Sequence, residues 1–142
     1  MSARSKTEEA LVGLIKTEYS GEVYAGTRGD IKEFPCVVVS CEGGEEMPLN
    51  SGNTSVDVTV SVQDQIDEQG EPNSTSRFNG AVSRVSDALR FEDLPTQLDA
   101  QAAGFSCIGV LSRAGSETIF DEQEAMVAEV FTLNLLIAEK DI

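Results

Sequence analysis

The side chains that could carry chemistry in this chain are carboxylates and thiols. The sequence has 25 Asp+Glu, three Cys and no His. Without an imidazole there is no Ser-His-Asp or Cys-His nucleophile system, no His-ligated zinc and no histidine base. Cys36, Cys41 and Cys107 form no CxxC pair and sit among Val, Ile and Phe, where a free thiol behaves as a small core hydrophobe. Cys36 and Cys41 lie five apart in a strand-like run, so they point to opposite faces of a sheet and do not easily pair. Unpaired thiols of this kind fit a reducing compartment. The acid clusters Glu45/Glu46 and Asp121/Glu122/Glu124 lack the spacing and bracketing ligands of a calcium loop and read as solvated surface. GGEE at 43–46 is no phosphate loop, since no Lys follows and its carboxylates repel phosphate. An Arg28-Gly29-Asp30 tripeptide reads as a turn. With no Trp and two Tyr there is little to build a sugar platform. The expectation is a chain with no catalytic, cofactor-binding or metal-ligating residues, and not an enzyme.

The carboxylates matter instead through where they sit. The formal net charge is −15 over 142 residues. From Glu33 to Ser76 there are nine acids and no base, among them Glu42, Glu45, Glu46, Asp57, Asp64, Asp67 and Glu68. From Ala114 to Glu139 there are six more, again with no Lys or Arg. These two windows account for the whole net charge. A surface of one sign cannot grip phosphates, because such binding works through Lys and Arg releasing counterions. It can repel a polyanion and let it slide. The residues named in the first window are therefore candidates for an acidic lumen or loop surface. The bland alternative is that acidic loops serve solubility.

The elements that must position these groups follow from periodicity. A capping-box pattern, Ser5 with Glu8, and a stripe of Leu11, Leu14 and Ile15 predict a helix over 6–19, ended by Gly21. Residues 23–25 read as a short strand. Residues 35–42, PCVVVSCE, read as a strand buried on both faces. Residues 54–63 alternate strictly, Val56, Val58, Val60 and Val62 to one face and Asp57, Thr59 and Ser61 to the other, which predicts a half-buried strand. Between them GGEEMPLNSGN predicts a projecting loop, whose Met47, Pro48 and Leu49 are candidates for a subunit interface together with Leu11 and Glu129. A helix is predicted over 75–90 from Phe78, Ala81, Val82, Val85, Ala88 and Leu89. Thr96 and Gly104 bracket a short helix, LDAQAA, and strands are predicted over 105–112 and 126–138. In the last of these Glu129 falls on the greasier side, which places that end at an edge or an interface. The order α-β-β-β-α-α-β-β predicts a single α+β domain, mainly antiparallel sheet with flanking helices. No window approaches membrane-spanning length and no secretory h-region is present, so the expectation is a soluble protein without a membrane partner.

This succession of segments resembles the tail terminator (tail completion, or neck) proteins of long-tailed bacteriophages over residues 5 to 138. The resemblance rests on an N-terminal amphipathic helix followed by FPCVVVSCEGGEEMPLNSGNTSVDVTVSVQDQID. An interrupted helix SRFNGAVSRVSDALR, a GFSCIGVL strand and a terminal strand of alternating apolar residues complete it. It implies an α+β sheet flanked by helices and assembly into a hexameric ring that caps the tail tube and joins it to the head connector. The implied partners are further copies of the chain, the tail-tube protein and head-tail connector proteins. The implied location is the tail or neck of a virion assembled in the host cytoplasm. DNA would pass through the lumen without specific binding, and no catalytic residue or cofactor is carried over. A rival from another class is an acidic protein that mimics DNA and inhibits a nucleic-acid-binding partner. It would need its carboxylates in rows at phosphate-like spacing.

Overall fold

The structure is a computed structural model that describes residues 3–26, 35–46, 53–66, 75–89, 94–101, 106–121, 123 and 125–138. In chain order these form α1 (Ala3–Glu18), β1 (Glu22–Ala25), β2 (Cys36–Glu46), β3 (Asn53–Gln65), α2 (Thr75–Leu89), α3 (Leu94–Asp99), β4 (Ser106–Asp121) and β5 (Met126–Ala138). The order is the one the periodicity predicts. The described strands make one sheet in the order β1-β2-β3-β5-β4. β1 runs parallel to β2 and the other three pairings are antiparallel. The fold is α+β.

The valine alternation of β3 determines how the layers stack. Val56, Val58, Val60 and Val62 are fully or almost fully buried, while Asp57 and Thr59 are exposed. Register carries the same face across the sheet, to Val37, Val39 and Cys41 on β2 and to Phe131, Leu133, Leu135 and Ile137 on β5. All of these belong to one core with the helices. α1 contributes Thr7, Ala10, Leu11, Leu14 and Ile15, the i, i+3, i+4, i+7, i+8 stripe of a helix lying on a sheet. α2 contributes Phe78, Ala81, Val85, Ala88 and Leu89, and α3 Leu94 and Leu98. On the opposite face of β2, Cys36 and Val38 are also buried, so that stretch is covered on both sides as its unbroken apolar run requires. Gly13 lets α1 meet the residues after α3: a Cβ there would come within 2.8 Å of Gln101 Oε1.

Several boundaries differ from the sequence reading. β2 continues through Glu45 to Glu46, which pairs with Thr54 of β3 rather than projecting in a loop, with a register shift between Gly43 and Glu46. The short helix is Leu94–Asp99 rather than LDAQAA. Pro95 presets the first-turn φ, and Leu94 and Leu98, four apart, both point into the core. Thr96 lies inside the helix and is exposed. β4 runs on to Asp121. Its second half has little apolar periodicity of its own and is held by regular pairing with β5 from Ser116 to Asp121, after three register irregularities between Cys107 and Ser116. Such bulges are common on edge strands, where they discourage unwanted pairing. The central β3–β5 pair keeps one register from Asn53↔Ala138 to Gln65↔Met126.

Candidate functional site

Two surface features and one buried one stand out. The first is an acidic rung on the sheet face away from the helices. Glu42 on β2 lies directly opposite Asp57 on β3, and both are exposed. Like charges so placed weaken a strand pair. Asp57 lies in turn opposite Asn134 on β5. Asn134 Nδ2 donates to Asp57 Oδ1, and Ser55 Oγ donates to Asn134 Oδ1 at 3.0 Å. The Asn134 amide thus leaves the Asp57 carboxylate hydrogen-bonded but not neutralised. Glu45 and Glu46 continue β2 beyond this rung.

The second feature is the end of the β4–β5 hairpin. Residues 115–121 are all exposed. They include Ile119 and Phe120, 47% and 57% exposed, beside Glu117 and Asp121. Thr118 Oγ1 donates to Glu129 Oε1 directly opposite it on β5. Glu129 is half-buried on β5, an interior strand flanked by β3 and β4, so it does not lie at a sheet edge.

The third feature, a buried ion pair, corrects one of the candidates. Asp64 is fully buried and is not part of any acidic surface. It continues the parity of Val56 to Val62 and meets Arg77 of α2, whose Nη2 donates to Asp64 Oδ1 at 2.8 Å. The Gln65 N–H donates to the same oxygen at 2.8 Å, and Asp64 Oδ2 has no hydrogen-bond partner. Leu11, taken from sequence as an interface residue, is fully buried in the chain's own core and unavailable to a second subunit. Met47, Pro48, Leu49, Asp67 and Glu68 lie outside the described residues. Of the acidic candidates with described side chains, the structure brings together Glu42 and Asp57 and removes Asp64.

Among the described residues no group of three or more His, Cys, Asp or Glu side chains is placed to hold a metal. No helix among them is long and apolar enough to cross a membrane. All three cysteines are buried and none forms a disulfide. Burial pushes the thiols of Cys36 and Cys107 up to about 11, with help from Asp64 and Asp99 respectively. Burial also raises the Tyr19 hydroxyl. These groups are held neutral in the native state, so their contribution is lost as the unfolded chain ionises. From pH 9 upward the unfolded state sheds thiol protons that the native state keeps until about 11. The unfolding free energy measured in urea is therefore expected to fall between these pH values, by about 1–2 kcal/mol per thiol. A C36A/C107A variant is expected to lose most of that pH dependence.

The class defined by this geometry is a two-layer α+β protein: one mixed sheet, helices on one face, and an acidic rung on the other. No family model matches the chain, and no curated protein is detectably similar to it. Among solved structures, a chain of the virion of a native gene transfer agent particle shares the fold. The TM-score is 0.55 over 89% of this chain and 83% of that chain, at 16% sequence identity.

Proposed function

We propose that this chain is a structural protein of a phage-like virion, a non-enzymatic ring subunit of the tail terminator type, set where the tail tube meets the head connector. The observation that carries this reading is the likeness to a gene transfer agent virion chain over nearly the whole fold. It is joined by the segment order that resembles terminator proteins. The charge fits the task. A ring around duplex DNA has to let the polyanion slide, and carboxylates toward the lumen achieve this by repulsion. Glu42 and Asp57, exposed and paired across β2 and β3, are the residues assigned to that surface.

Native mass measurement and negative-stain images of the purified protein, alone and with tail-tube protein, test the reading. A sixfold ring that co-purifies with the tube is the expected outcome. A protein that stays monomeric in both settings would refute it. The lumenal assignment has its own test, since an E42K/D57K variant is expected to retard linear duplex DNA in a gel while the natural sequence does not. No gain of DNA affinity would move the acids away from the lumen.

A further inference from the structure

We infer that the edge of β4 from Ser116 to Asp121 takes up an extended basic segment of a partner protein, which adds a strand to the sheet. The inference rests on the sheet alone and goes beyond the ring reading. β4 is the last strand in the sheet order, and among the described residues no strand pairs with its other side. An edge of this kind presents outward N–H and C=O groups to a further strand. Its two halves are guarded differently. Between Cys107 and Ser116 three register irregularities break the run, whereas Ser116 to Asp121 pairs with β5 without a shift. That stretch also has no Lys and no Pro, the other usual guards of an edge.

Side chains on both faces of this stretch go uncovered. Ile119, 47% exposed, pairs with Ala128 and lies on the face away from the helices. Phe120, 57% exposed, pairs with the buried Val127 and lies on the helix-bearing face. A partner docked on one face leaves the other residue in water, whereas a strand added at the edge sets its own alternating side chains beside both. Glu117 and Asp121 share the face of Ile119, two positions to either side of it, and both are exposed. They decide what the added strand is. A second copy's β4, paired antiparallel with the Ile119 side chains opposite one another, sets Glu117 against Asp121 twice, and like charges directly opposite weaken a pair. Lys or Arg opposite each carboxylate, with an apolar residue opposite Ile119 and another opposite Phe120, reverses that sign. The occupant is therefore a segment with two bases four positions apart enclosing apolar residues. The net charge of −15 on this chain draws such a segment in.

The test adds two peptides, TKVVTKT and its acidic counterpart TEVVTET, to the full chain and reads amide chemical shifts by NMR. The natural sequence is expected to bind TKVVTKT about tenfold more tightly than TEVVTET, the worth of two opposite-charge pairs across strands, with shifts centred on residues 116–121. E117K/D121K is expected to reverse the preference, and I119T/F120T to weaken binding of both peptides. All four positions are exposed, and an unchanged Tm verifies that each variant folds. Equal affinity for the two peptides would overturn the basic occupant. Shifts centred away from β4 would overturn the edge as the site, and no shift at millimolar peptide would overturn both. Residues 116–121 that resist hydrogen exchange in the assembled chain without peptide would overturn the partner segment in favour of a second copy on the edge.

Discussion

Replacing Arg77 by Ala is expected to lower the unfolding free energy by about 3 kcal/mol, near the low end for breaking a buried ion pair. The reason is asymmetry of exposure. The Arg77 side chain is 42% exposed and can rehydrate, while Asp64 is 0% exposed and cannot. In the variant one carboxylate oxygen keeps the Gln65 N–H, the other still has nothing, and the charge is left without its counter-ion. Adding Asp64→Asn to Arg77→Ala removes that charge and is expected to recover more than half of the loss. Urea unfolding at neutral pH measures both. A loss below about 1 kcal/mol for the single variant, the value typical of surface pairs, would show that Asp64 is not held by Arg77. A double variant no better than the single one would show that the stranded charge is not the cause.

Leu11→Ala is expected to cost about 3–4 kcal/mol, in the range for deleting a fully buried leucine and leaving part of its cavity. Leu11 has no exposed surface and packs in the core shared by α1 and the sheet. The loss belongs to the stability of the single chain. The drop in denaturant midpoint relative to the natural sequence is therefore expected to be the same at every protein concentration, and folded Leu11→Ala is expected to assemble as the natural sequence does. A drop that changes with concentration would return Leu11 to an interface role.

The element order was readable because α1, α2 and β3 each declare their period. The 7, 10, 11, 14, 15 stripe of α1 and the four alternating valines of β3 permit one reading apiece. β4 beyond residue 112 was not readable. Its apolar residues do not alternate there, and only pairing with β5 makes it a strand. Glu45 and Glu46 were missed for the same reason. The acidic surface was legible in outline and wrong in one member. Counting charge by window treats Asp64 like its neighbours, but its even number places it with Val56 to Val62, on the buried side. Leu11 could have been corrected in the same way, since it lies mid-stripe. Ile119 and Phe120 carried a weak signal, two adjacent apolar residues in an acidic stretch.

The uninterrupted β3–β5 seam has a consequence for how the chain reaches this fold. The hairpins β2–β3 and β4–β5 join near neighbours in sequence, whereas the seam joins Asn53 to Ala138 and Gln65 to Met126. Contacts of such wide sequence separation close late, because loop entropy must be overcome before they form. Until the seam closes, two preformed ribbons expose valine and leucine faces with free edges, the state most prone to aggregate. The order of events is therefore local ribbons first, then the seam, and only then a completed sheet. Synthesis adds its own delay, since the seam cannot begin to close before β5, the last of the described strands, has been made.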